Sequence, residues 1–388
     1  MADTKQRVAF IGTGIMGAPI AGHIMDAGYL LTVYNRTEAK AQPLVERGAV
    51  WAASPAEAVR DADVVFTMVG YPEDVEELYL SSDGLLAASK LGAVLIDLTT
   101  SSPALARDIA EAAAVSDRMA FDCPVTGGES GAIAGTLTAI AGATERDIEP
   151  VRALLETFTA RIFCFGGAGK GQSAKLANQI ALASSMVGMA DALSLAQQSG
   201  LDLEQIRKMI LTGTGASGAM DSLAPKALDG DWKPGFMVKH FIKDIRLALE
   251  EAEEKEIALP GADTAYALYD MLDAIGGAEL GTQAITLLYQ EEGDAVAAGL
   301  DWSLYTNAHE HGDECGCGHD HERGDECGCG HDHERGDECG CGHDHGEGEH
   351  ECCHGHHHDG DHECCHGEGH GHHDHGEGHE CCHGHHGK

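Results

Sequence analysis

Short, fully apolar runs alternate with helix-spaced segments over roughly the first 165 residues, and then the runs stop. Residues 8–11 (Val-Ala-Phe-Ile) form one run, and 15–27 place apolar side chains at helical spacing. Residues 30–34 read as a second strand, followed by a helix over 38–47. The runs at 63–69 and 94–98 are apolar at their centres, the pattern of parallel strands covered on both faces. Further strands are expected at 119–125, 137–141 and 161–165, with helices after Pro103 and Glu145. Alternation of this kind predicts an α/β domain with a mostly parallel, doubly wound sheet and helices on both faces.

After Gly171 the pattern is helical: 172–199, 203–210, 238–255 and 262–272, closed by 282–290. This half is expected to be all-α, with its long first helix joining it to the sheet. The most apolar stretch of that helix, 181–196, contains Asp191 and reads as too short to cross a bilayer. The N-terminal residues lack a signal-peptide layout, so the expected location is the cytoplasm. The domain boundaries that follow are 1–167 for the sheet, 168–307 for the helices and 308–388 for a tail.

Composition changes abruptly at the tail. From His309 onward only His, Glu, Gly, Asp, Cys, Arg and Lys occur. With no aliphatic or aromatic side chain to bury, such a segment cannot offset its ordering entropy and is expected to be disordered. It repeats Cys-x-Cys-x-His-x-His at Cys315, Cys317, His319 and His321, at Cys327, Cys329, His331 and His333, and at Cys339, Cys341, His343 and His345. Thiolate and imidazole suit zinc, nickel, cobalt or copper, and the layout suits several adaptable sites better than one structural zinc site. The whole chain carries a formal charge of −39, which argues against a nucleic-acid partner. Only Cys123 and Cys164 lie outside the tail, and both read as buried free thiols.

Candidate chemistry begins at Gly12-Thr13-Gly14-Ile15-Met16-Gly17, a Gly-x-Gly-x-x-Gly turn between the first strand and first helix. There the glycines allow a tight turn, close approach of a pyrophosphate and tight helix–strand packing, while free N–H groups attract the anion. The second strand ends at Asn35-Arg36-Thr37 with no Asp or Glu for a ribose hydroxyl. Arg36 offers a donor fork suited to a 2′-phosphate, so NADP is expected over NAD. Two further segments carry polar groups: Asp122-Cys-Pro-Val-Thr126-Gly127-Gly128, a strand entering a glycine turn, and Gly169-x-x-x-x-x-Lys175-x-x-Asn178-Gln179, which opens the long helix. Helical spacing puts Lys175, Asn178 and Gln179 on one face.

Taken together these segments resemble the β-hydroxyacid dehydrogenases, the family of 3-hydroxyisobutyrate dehydrogenase, tartronate semialdehyde reductase and glyoxylate/succinic semialdehyde reductase. The resemblance covers about residues 7–305, includes Phe236 through Lys243-Asp244 and Leu259-Pro260, and leaves out the tail. It implies a Rossmann-type domain, a small carboxylate substrate and a homodimer or homotetramer. Lys175 would be the general acid/base, with Asn178 or Gln179 orienting it or the substrate. Thr126, Gly127 and Gly128 would hold the substrate carboxylate. Lys243 would approach cofactor or substrate from the helical half, and Asp244 would pair locally. Val69 and Gly70, where relatives often have Leu-Pro, and Thr100 or Ser101 would line the cofactor. His23 and His240 read as packing or surface residues. A competing reading makes the chain a metal-storage or metallochaperone protein on a dehydrogenase-like scaffold; an imine reductase is disfavoured because those relatives typically lack the lysine.

Overall fold

The structure is a computed structural model and describes residues 5–290 and 292–304, all within one compact unit. The tail ligands named above, from Cys315 to His345, lie outside the described residues. Six strands form the first sheet: β1 (Arg7–Ile11), β2 (Leu30–Tyr34), β3 (Val50–Trp51), β4 (Val64–Thr67), β5 (Val94–Asp97) and β6 (Met119–Asp122). Their order is β3-β2-β1-β4-β5-β6 and every pairing is parallel. The order in which strands are added reverses between β1 and β4, which opens a crevice at the carboxyl ends of those strands, where α/β sheets take their ligands. Phe10, Val33, Phe66 and Ile96 fill one face of the sheet, and Ala9, Ile11, Val65 and Leu95 the other. Such two-sided burial accounts for the unbroken apolar runs.

One expected strand is two. The run at 119–125 divides into β6 and β7 (Val125–Thr126), and β7 belongs to a second sheet with β8 (Leu137–Ala141) and β9 (Thr159–Cys164). The Cys123 N–H still donates to Asp97 of the first sheet, but Pro124 has no N–H to continue that ladder. Its carbonyl accepts instead from Ile140, so the chain changes sheets at the proline. The expected helix over 38–47 is likewise a 3-10 turn (Glu38–Lys40) and a short helix (Gln42–Glu46). The closing 282–290 segment is a 3-10 helix, Thr282–Tyr289.

The long helix runs from Lys170 to Gln198, 29 residues, about 43 Å at 1.5 Å per residue. Its buried stripe changes character along its length. Gln172, Lys175 and Gln179 come first, then Ala183, Met186, Met189, Ala190, Leu193 and Ala196. The apolar part packs on helices Val238–Glu254 and Pro260–Leu272, where Phe241 stands edge-on to Tyr269 and the Tyr269 hydroxyl donates to the Thr282 carbonyl. The sequence reading of this helix as too short for a bilayer does not hold. By length and composition alone it could cross one, because the helix begins well before residue 181. Here it is the central packing element of the helical half.

At its start this helix is fastened to the end of β6. Both Asp122 carboxylate oxygens accept backbone N–H groups, from Gly169 and Gln172, each at 2.7 Å. The approach requires glycines. A Cβ on Gly171 would lie 2.5 Å from the Ile140 carbonyl oxygen and 2.7 Å from Asp122, and one on Gly142 would lie 2.1 Å from Asp122. Gly171→Ala should therefore force apart the helix start and the second sheet, lowering stability by about 2 kcal/mol or more. A urea unfolding midpoint equal to wild type would show that the junction is looser than described.

Candidate active site

At the glycine turn, two of the three glycines are demanded by packing and one by space. A Cβ on Gly12, which sits at φ +97°, would lie 2.1 Å from the Met68 carbonyl oxygen, and one on Gly17 would lie 1.9 Å from that of Gly12. Gly14 would meet nothing within 4 Å, which leaves its backbone open to a ligand. The helix that follows, Gly17–Asp26, has no side-chain cap on its first N–H groups. Thr13 keeps a buried hydroxyl without a partner, and Ile15 is exposed beside Met16. An open glycine, an uncapped helix start and an orphaned hydroxyl suit a dinucleotide pyrophosphate.

The ends of β2 and β4 complete the crevice. The Asn35 side chain is engaged by the protein itself: its oxygen accepts from the Thr13 N–H at 2.9 Å and its amide donates to the Thr37 carbonyl at 2.8 Å. Asn35 thus holds the glycine turn against β2. Arg36 and Thr37 are exposed. The Arg36 side chain is 87% accessible and, among the described residues, pairs with Asp74 at 3.4 Å. Sequence reading found no carboxylate at the end of β2 and missed this one, which arrives from the helix after β4, Pro72–Leu80. The Val69 N–H donates to the Thr99 hydroxyl at 3.0 Å. Beyond Gly70 the Tyr71 ring stands 5.4 Å from that of His240, on the helical half. His23 instead bonds the carbonyls of Ala132 and Ile133 at 3.0 Å.

Lys175 lies at the meeting of the two halves, 7% exposed. Among the described residues no hydrogen bond or ion pair closes on its amine. Burial pulls its pKa down to about 8 and neighbouring Lys243 adds to this, while Asp244 acts in the opposite sense. Around it runs a polar chain. The Asn178 amide donates to Gln179 at 2.9 Å, and the Gln179 amide donates to Asp244 Oδ2 at 2.7 Å. Asp244 Oδ1 lies 3.1 Å from the Lys243 ammonium, within ion-pair range but without hydrogen-bond alignment. Lys243 donates to the Thr100 carbonyl at 2.5 Å. Asp244 pairs locally, as expected, and Lys243 crosses from the helical half to the loop after β5.

Thr126, Gly127 and Gly128 sit where β7 turns into the helix Gly128–Ala134. Gly127 and Gly128 have φ +130° and +64°, values that glycine adopts at no steric cost. No hydrogen bond or ion pair among the described residues joins these three to the Lys175 cluster; the tie is indirect, through Asp122 four residues before Thr126. The two thiols read as inert. Burial pushes Cys123 well up and half-buried Cys164 to about 11. Among the described residues no group of His, Cys, Asp and Glu is placed to hold a metal.

A doubly wound sheet with this crevice, followed by a helical half whose Lys243 reaches the loop after β5 near buried Lys175, is the architecture of a nicotinamide-dependent dehydrogenase. Residues 7–166 match the family model described as the NAD-binding domain of 6-phosphogluconate dehydrogenase. Residues 169–289 match that described as NAD-binding of NADP-dependent 3-hydroxyisobutyrate dehydrogenase. The chain is 45% identical to the uncharacterized oxidoreductase YkwC of Bacillus subtilis over 285 residues, covering 74% of this chain and 99% of the relative. It is 35% identical to 3-hydroxyisobutyrate dehydrogenase of Pseudomonas aeruginosa over 271 residues, 68% of this chain and 91% of the relative. A solved Mycobacterium tuberculosis 3-hydroxyisobutyrate dehydrogenase with L-serine superposes with a TM-score of 0.69 at 30% identity, covering 74% of this chain and all of that one. The chain belongs to the β-hydroxyacid dehydrogenase family and is an NAD(P)-dependent hydroxyacid dehydrogenase.

A buried carboxylate supports the loop after β5 from below. Asp97 accepts from the Thr67 hydroxyl at 2.7 Å and from the Thr99 N–H at 3.0 Å. The Thr67 proton goes to the carboxylate, so the Tyr79 hydroxyl at 3.0 Å donates to Thr67. Burial lifts Asp97 to about 6 against these bonds. Because the folded pKa is raised, the folded state holds the extra proton between about pH 4 and 6. This group's contribution to stability therefore falls as pH rises through that window. Asp97→Asn should keep the acceptor and remove the ionisation penalty, up to about 3 kcal/mol for two pKa units. We expect the variant to melt higher than wild type at pH 8, with the gap closing near pH 4; a lower melting point at pH 8 would show that the charge itself holds the loop.

Proposed function

We propose that this chain uses NADPH to reduce a small semialdehyde or oxo acid, and NADP to oxidise the matching β-hydroxyacid, with Lys175 as the acid/base. The observation that carries the reading is a buried amine, closed off by no hydrogen bond or ion pair among the described residues, on the helix that joins the sheet domain to the helical half. The reduced nicotinamide, when bound, supplies hydride to the carbonyl carbon. Lys175 supplies the proton to the carbonyl oxygen, and as an ammonium it stabilises the negative charge that develops there. The neutral amine then recovers a proton from water. In the oxidative direction the same amine starts neutral and takes the hydroxyl proton. Asn178 and Gln179, linked to each other and to Asp244, set the side-chain position on that face.

Arg36 supports NADP: its guanidinium is exposed and makes one long contact among the described residues, so its remaining donors can receive a 2′-phosphate. The exposed turn at Gly127 and Gly128, with nothing within 4 Å of a Cβ on Gly128, supports a substrate carboxylate lying across the backbone beside Thr126. L-serine, named with the mycobacterial structure, is itself a β-hydroxyacid and supports that substrate class. A pKa near 8 places the amine where either protonation state is accessible at neutral pH. Lys175→Ala should lower turnover about a thousandfold while NADPH still binds with near wild-type affinity. In wild type, kcat/KM for reduction should fall as pH rises through about 8, and kcat/KM for oxidation should rise through the same value. Profiles that are flat there, or a fully active alanine variant, would end the assignment.

We propose for the tail that its Cys-x-Cys and His-x-His units bind transition metal and take no part in catalysis. Their ligand chemistry supports this, since thiolate and imidazole prefer borderline and soft ions. Full-length protein purified without metal affinity should carry zinc, nickel, cobalt or copper by elemental mass analysis, and protein truncated at residue 307 should carry almost none. Equal, negligible metal in both rejects the binding.

A further inference from the structure

We infer that Asp74 sets the choice between the two nicotinamide dinucleotides, acting against the 2′-phosphate and for the free ribose hydroxyl. The inference deepens the NADP reading above and rests on Arg36 being the 2′-phosphate contact. Rossmann domains that take NAD ordinarily place a carboxylate at the end of the second strand, where it accepts from the ribose. Here that position holds Asn35 and Arg36, and Asn35 is engaged by Thr13 and Thr37. The missing carboxylate comes from another element. Asp74 stands in the first turn of the Pro72–Leu80 helix, and one of its oxygens lies 3.4 Å from Arg36 Nη1. Its other oxygen lies 3.5 Å from where a Gly70 Cβ would be, so the carboxylate borders the cofactor loop.

Arg36 and Asp74 therefore present a cation and an anion side by side at the ribose. A 2′-phosphate on the remaining Arg36 donors would meet the Asp74 negative charge a few ångströms away and compete with it for the guanidinium. A 2′-hydroxyl has no such conflict: it can donate to Asp74 while Arg36 stays paired. Asp74 is three-quarters buried and Arg36 is almost fully exposed, so the carboxylate is the fixed partner and the guanidinium the one that moves. The residue pair thus accepts both cofactors, with Asp74 narrowing the NADP advantage that Arg36 creates.

The test is direct binding of NADPH and NADH, followed by nucleotide fluorescence, to full-length wild type, Asp74→Asn, Arg36→Ala and the double variant. Asp74→Asn keeps size and an acceptor while removing charge. It should tighten NADPH about fivefold, the scale of one exposed charge pair, and weaken NADH about tenfold, the scale of a hydrogen bond to a charged group. Arg36→Ala should weaken NADPH and leave NADH within about twofold. If Arg36→Ala leaves NADPH unchanged, the NADP reading itself fails. If Arg36→Ala behaves as expected but Asp74→Asn leaves the NADPH:NADH affinity ratio at the wild-type value, the NADP reading stands and the role of Asp74 is overturned. An equal weakening of both cofactors by Asp74→Asn also overturns it, since that marks a carboxylate that only supports the loop.

Discussion

The site depends first on the two hydrogen bonds between the Asp122 carboxylate and the start of the long helix. Asp122 ends the last strand of the parallel sheet, and Gly169 and Gln172 open the helix that bears Lys175. Backbone N–H groups at a helix start have no partners of their own, so a buried carboxylate there satisfies two donors at once. Burial raises the Asp122 pKa, and the bonds from Gly169 and Gln172 act against that rise. The glycines at 142 and 171 permit the approach, and Thr126 follows Asp122 on the same strand-to-turn segment. One side chain thereby sets the distance between the proposed carboxylate cradle and the proposed proton donor.

A second cross-connection runs the opposite way, from the helical half to the sheet. Gln172 accepts from the Ser101 N–H at 2.9 Å and donates to the Thr99 carbonyl at 2.8 Å. Lys243 reaches the Thr100 carbonyl. The Thr99–Ser101 loop is gripped on successive residues by two different helices, and Asp97 holds it from beneath. The glycine turn, by contrast, is held by backbone packing, by the Gly12 N–H bond to the Tyr34 carbonyl and by Asn35, and space remains beside Gly14.

Much of this was legible in the sequence because the strands are buried on both faces and the helices keep their period. The parallel sheet, the glycine turn, the helix bearing Lys175 and the pairing of Asp244 all follow from local pattern or from the family resemblance. What was not legible required contacts between distant segments. No local signal places Asp74 beside Arg36, since 38 positions separate them. Pro124 was a signal for the switch between sheets, and the apolar run around it masked the break. No local signal bonds Asp122 to the Gln172 backbone until the helix start and strand end are brought together. Arg36 and Asn35 occupied the expected place, but the Asn35 side chain turned out to serve the fold.

The bond from Lys243 to the Thr100 carbonyl bears on the Lys175 amine as well as on the loop. It fixes a second ammonium near Lys175 while tying the helical half to the loop after β5. The surroundings that bring Lys175 down to about 8, burial first and the Lys243 charge with it, are thus partly held by that one contact. An amine kept dry beside another cation parts with its proton more readily than one in water.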